Sequence, residues 1–311
     1  MNTALLLLGY AVALVWLGPL PLRRITRTSA HPKLAVASWL TAVATALAAW
    51  FAALGVLGTA VLDSAWHHGQ LTLCLKTLGL TGELGLPRTI ASAVAIGLLL
   101  AGLVATAVAG WRVVHRWRRQ RSLSRLHAAN ARVVGGPSDW PGVVVVPAPQ
   151  PAAYCVADRP ESVIVVTSAA LNRLDERQLA AVLAHEYAHL ASRHHDLLMA
   201  LRAMAASLPR LPLFAAAADV VADLLELCAD DVAVRRHGKT ALLHGLLALT
   251  GGPSVMASAT LGAANTATLA RAERLAIPVS RGRSWLERVM LSTTIGLAMT
   301  MPLVFGLACQ L

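Results

Sequence analysis

His185, Glu186 and His189 stand together in Ala184-His185-Glu186-Tyr187-Ala188-His189-Leu190, an HExxH spacing. On a helix, residues four apart share a face, so both imidazoles can reach one ion. The Glu186 carboxylate, beside the first imidazole, is placed to take a proton from a water held by that ion. This is the chemistry of zinc-dependent peptide hydrolysis. Zinc polarises the scissile carbonyl and lowers the pKa of its water to about 7, and the base later delivers the proton to the leaving amine. The bland alternative is a charged helix face. It fits poorly, because the flanks are apolar (LAAVLA before, LA after). Burying a glutamate and two histidines there without a partner would cost several kcal/mol.

A peptidase zinc takes three protein ligands and leaves one position for water. Two residues compete for the third place. His195 lies ten residues after His185, as in HExxHxxGxxH, but Ser192 stands where that pattern needs glycine for a sharp turn. Glu226 lies in Glu226-Leu227-Cys228-Ala229-Asp230. On a helix Glu226 and Asp230 share a face, so the first can bind zinc while the second orients a ligand histidine. Glu226 is the better candidate, and His195 stays open. His195 or His237 could steady the oxyanion.

The elements that must position these groups are marked locally. Leu174, Asp175, Gln178 and Leu179 predict a helix start, with Asp175 as N-cap, Gln178 closing a capping box and the two leucines as a hydrophobic staple. Upstream, Val143–Val146, Ala153–Val156 and Val163–Val166 are short β-branched runs separated by turns, and predict a small antiparallel sheet. An edge strand there could seat an extended peptide. Downstream, Asp196–Leu225 is apolar but interrupted by Arg202, Pro209, Arg210 and Pro212. Two helices joined at Leu208–Pro212 and touching the membrane surface are expected.

Composition sets the setting. With 56% hydrophobic and 14% charged residues and a mean hydropathy of +0.60, an ordinary soluble protein is excluded. Apolar runs at about Ala4–Leu20, Leu34–Leu62, Ile90–Trp111 and Val289–Leu307 are each long enough to cross a hydrocarbon core of about 30 Å. The first has no basic residue before it, so it reads as a retained helix and not a signal peptide. The fold class expected is a mostly α membrane protein. Four transmembrane helices carry a cytoplasmic α+β zincin-like (gluzincin) metallopeptidase domain inserted between the third and fourth. The boundaries are 1–128 for the membrane region with its basic anchor, 129–285 for the peptidase and 286–311 for the last helix.

Arg23, Arg24, Arg27 and Lys33 crowd the first loop, and Arg112 to Arg125 follow the third run. Basic loops face the cytoplasm, so both termini are expected outside and the catalytic helix inside. The net charge of +11 is then headgroup anchoring to the lipid bilayer, with Trp111 and Trp117 at the interface, and direct nucleic-acid binding is not expected. Cys155 and Cys228 read as reduced core thiols, while Cys74 and Cys309, on the outer side, could pair. A homodimer is compatible with this arrangement.

HEYAH and ELCAD, together with the stretch AYCVADRPESVIVVTSAALNRL ending at Leu174, resemble the BlaR/MecR-type integral membrane zinc metallopeptidases, relatives of the CAAX-prenyl-protease/HtpX group. The resemblance covers essentially the whole chain. It implies Zn2+ held by His185, His189 and Glu226, with Glu186 as general base and Asp230 supporting. Arg193, His195 and Asp196 match a basic-His-Asp element that supports the site in that family. It also implies cleavage of a cytoplasmic protein substrate, a winged-helix repressor of the BlaI/MecI kind, in signal transduction and antibiotic response. The chain ends at Leu311, where the best-known members continue into a penicillin-binding sensor domain, so direct β-lactam sensing is not expected.

Overall fold

The computed structural model describes residues 3–26, 30–66, 88–158, 162–250, 263–276 and 280–308. Its organising element is the helix Glu176–Ala191. The start forms as its residues dictate. Asp175 Oδ1 accepts from the Gln178 N–H at 2.8 Å, and the Asp175 N–H donates to Gln178 Oε1 at 3.3 Å. Leu174 and Leu179 are both buried in one cluster with Val182 and Leu183, which is the staple.

In chain order the helices are α1 (Thr3–Leu17), α2 (Pro19–Thr26), α3 (Pro32–Trp66) and α4 (Arg88–Val134). The strands are β1 (Gly136–Pro137), β2 (Val143–Val146), β3 (Ala153–Val156) and β4 (Val163–Thr167). The remaining helices are α5 (Ser168–Arg173), α6 (Glu176–Ala191), α7 (His194–Ser207), α8 (Pro212–His237), α9 (Lys239–Leu249), α10 (Ala263–Ala276) and α11 (Arg281–Ala308).

The sheet order is β1-β2-β4-β3. A purely antiparallel sheet is corrected here, because β2 and β4 run parallel, pairing Val143 with Ile164 and Val146 with Thr167. The reason is the β3–β4 hairpin. It places β3 on the outside and returns β4 beside β2 in the same direction. All five residues of β4 are buried, with the alternation a two-sided strand demands. Ile164 and Val166 face α6, while Val163 and Val165 face Ala128 and Ala131 of α4.

α4 does not stop at Trp111. It is one helix of 47 residues, about 70 Å long at roughly 1.5 Å per residue, and its end forms a wall of the sheet. The stretch Asp196–Leu225 does fall into two helices broken between Ser207 and Pro212. The apolar first half of α8 is not free for a membrane surface. Phe214, Ala217, Val221 and Leu224 pack with Val15, Leu22, Trp39, Val43 and Leu291 in one core. Trp39 Nε1 donates to Thr26 Oγ1 at 3.2 Å within it. Glu287 of α11 accepts from the Ala30 N–H at 3.0 Å and the His31 N–H at 3.4 Å, tying α11 to the segment just before α3.

Among the described residues two helical stretches are long and apolar enough to cross a membrane, Pro32–Leu62 and Ile96–Val134. A third counts if α1 and α2, bent by 46°, make one span. α11, where the fourth is expected, does not reach that measure on its described residues. Cys74 and Cys309 lie outside the described residues.

Candidate metal centre

α6 delivers His185 and His189 on one face, and the second half of α8 lies across it and delivers Glu226. The two Nε2 atoms are 3.1 Å apart. Glu226 Oε2 is 3.4 Å from His185 Nε2, and Oε1 is 3.4 Å from His189 Nε2. Three electron-pair donors thus converge, and two imidazole nitrogens facing each other can share only one proton. Ligand atoms of a tetrahedral ion bound at about 2.0–2.1 Å are about 3.3 Å apart. The observed separations fit a small divalent ion such as zinc. Among the described residues this is the group of three that could hold a metal ion.

Each donor is oriented from behind. His185 Nδ1 stands 3.0 Å from Asp230 Oδ1, and the Asp230 side chain is 0% exposed. Arg271 of α10 grips Asp230 with both arms of its guanidinium, Nε to Oδ2 at 2.8 Å and Nη2 to Oδ1 at 2.6 Å. It also reaches Glu226 Oε2 at 3.0 Å. On the other ligand, His194 Nδ1 lies 3.0 Å from His189 Nδ1. That contact depends on the chain reversal after α6. Arg193 sits in the left-handed region, with φ 56° and ψ 32°, a conformation that strains a side-chain-bearing residue.

The electrostatics follow from burial and these pairs. Burial alone would lower His185, but Asp230 and Glu226 outweigh it and push its pKa up to about 9. For His189 burial wins and the pKa falls to about 4. Burial would raise Glu226 and Asp230. His185 and Arg271 outweigh it, holding each at about 2. Glu186 moves the other way: burial raises it above the ordinary carboxylate range, with the Cys155 thiol and backbone N–H facing it. A carboxylate ligand, Glu226, held ionised beside one carboxylate, Glu186, made more basic is a division of labour suited to metal-assisted hydrolysis. Both kinds of group line one cavity of about 360 Å³.

Residues 117–283, more than half of the 311-residue chain, match peptidase family M48. The chain belongs to that family. No solved structure matches it. The M48 match begins within α4 and so takes in the helix that leads to the sheet.

In this M48 metallopeptidase the structure brings together His185, Glu186, His189, Glu226 and Asp230 as the sequence implies. His195 lines both this cavity and the neighbouring cleft, its Nε2 3.5 Å from Ser124 Oγ, and lies outside the three-donor group. Asp196 acts on His195 and is likewise outside that group. His237 is exposed in the last turn of α8 and does not line the cavity. Two contributors are not legible in the sequence. His194 stands behind His189, brought there by the left-handed turn at Arg193. Arg271 lies 41 residues from Asp230 on a helix with no motif of its own. Cys155 packs on the core, as expected, but also lines the cavity. Cys228 is buried and free.

Proposed function

We propose that this protein is a membrane-embedded zinc endopeptidase that cuts a cytoplasmic protein. The observation that carries it is the convergence of His185, His189 and Glu226 beside the basic Glu186. When bound, zinc supplies Lewis acidity at the scissile carbonyl and a water that ionises near neutral pH. The protein residues do the rest. His185, His189 and Glu226 hold the ion; Asp230 fixes the ring of His185, and His194 that of His189. Glu186 accepts a proton from the attacking water and passes it to the leaving amine. Arg271 keeps Glu226 and Asp230 ionised and in place, so it serves both a ligand and its support.

The peptidase faces the cytoplasm in this proposal. Arg23, Arg24 and Arg27 precede α3, and the cationic stretch Arg112–Arg125 belongs to the same half of α4 as the sheet contact. The substrate follows from the resemblance of HEYAH and ELCAD to the BlaR/MecR-type enzymes: a dimeric winged-helix repressor, whose cutting separates its two DNA half-site contacts. Co-expression with a candidate repressor, with and without Glu186→Ala, tests this by blotting. Cleavage that depends on Glu186 is the expected result. An intact repressor, with misfolded membrane proteins accumulating in the Glu186→Ala strain, would favour an HtpX-like quality-control role. Normal signalling by the Glu186→Ala protein would favour a non-catalytic transducer.

A further inference from the structure

Beside the metal cavity lies a second cleft of about 420 Å³, between the cytosolic part of α4, strand β3 and α7. The two share Tyr154, Cys155, His195 and Leu198, so one peptide could occupy both.

β3 is an edge strand. Its pairing with β4 matches Ala153 to Val166 and Val156 to Val163, and the Thr167 N–H donates to the Ala152 carbonyl at 2.9 Å. Antiparallel strands alternate between residues bonded to the partner and residues turned away. Tyr154 and Val156 therefore bond β4, while Ala153 and Cys155 turn their backbone groups to the open side. Cys155 and Glu186 line the same cavity beside this open edge. The open edge ends at Ala157, whose carbonyl accepts from Ser124 Oγ of α4 at 2.9 Å. A peptide added to β3 can thus pair over only a few residues before α4 stops it, and its next side chain enters the second cleft.

The cleft is chemically biased. Arg202 lines it, is exposed and forms no ion pair among the described residues. No carboxylate lines this cleft among those residues. Gln120 Oε1 is buried there without a hydrogen-bond partner, so a neutral amide is left for a peptide N–H. We propose that this second cleft is a substrate subsite for an acidic side chain, with Arg202 as its ion partner. The inference rests on the peptidase function proposed above and specifies its substrate.

The test uses the full-length, zinc-loaded protein in neutral detergent, with internally quenched peptides carrying Asp, Gln or Lys at one position at a time, three on each side of the scissile bond. At one position the wild type should favour Asp over Lys about tenfold in kcat/KM. Arg202→Gln should flatten that ratio and Arg202→Glu invert it, with zinc content and Tm showing that both variants are folded. A wild type indifferent to charge, or a preference that survives in Arg202→Glu, overturns the subsite while leaving the peptidase standing. Failure of the wild type to cut any peptide removes the peptidase function and the subsite with it. If Arg202→Glu instead weakens binding to phosphatidylglycerol vesicles and leaves the peptide ratio unchanged, the cation serves a lipid headgroup and the subsite is overturned.

Discussion

At the residue scale, the candidate ligands divide by what each loss leaves behind. Glu226→Ala removes one donor of three, so zinc measured on the purified protein should fall sharply. Glu186→Ala should keep its zinc and lose at least about 100-fold in activity, the scale of a missing general base. His195→Ala should retain most of its zinc, since His195 lies outside the donor group. Normal zinc in Glu226→Ala with none in His195→Ala would reverse the assignment. Arg271 gives a sharper contrast. Its guanidinium pairs with a fully buried Asp230 carboxylate. Arg271→Ala would leave that charge uncompensated, at a cost of about 3 kcal/mol or more. Arg271→Lys keeps the charge but not the two-armed grip. Thermal unfolding with zinc content should rank the wild type first, the lysine variant second and the alanine variant last.

At the element scale, two local features set the position of the donors. Asp175→Ala removes the side-chain half of the capping box on α6, the bond from the Gln178 N–H, while the backbone N–H at 175 can still donate to Gln178 Oε1; it should cost about 1 kcal/mol of stability, read by denaturant unfolding with unchanged zinc stoichiometry. Arg193 holds the left-handed turn that returns His194 to His189. Arg193→Gly should be neutral or stabilising by up to about 1 kcal/mol, because glycine adopts that conformation without strain. Arg193→Val should destabilise and loosen zinc, measured by the zinc released to a chelator over time. Equal behaviour of the two variants would show that the turn does not position His194.

At the scale of the whole molecule, the peptidase and the apolar helices are joined by one core. Val221 and Leu224 of α8, just before Glu226 on the same helix, pack against α1–α3. A rearrangement of those helices would be felt at the metal ligand, and a few kcal/mol suffices to shift such a site between two states. Orientation is checked with reporter fusions. A fusion at Gly135 should read cytoplasmic and one at the N-terminus external. An external reading at Gly135 would defeat a cytosolic substrate.

HExxH spacing, the Asp175 cap and the short β-branched strand runs are local features, and local geometry makes them legible: four residues of helix place two imidazoles together wherever the helix sits. Glu226 and Asp230 share a face by the same periodicity. What the chain alone left open is everything that depends on how elements cross. β2 and β4 are parallel because the β3–β4 hairpin inserts, and no residue type encodes that order. His194 reaches His189 because of a single positive φ at Arg193, which no residue type announces. Arg271 meets Asp230 across 41 residues only because α10 docks on α8, and buried charge pairing acts through space, independent of sequence separation.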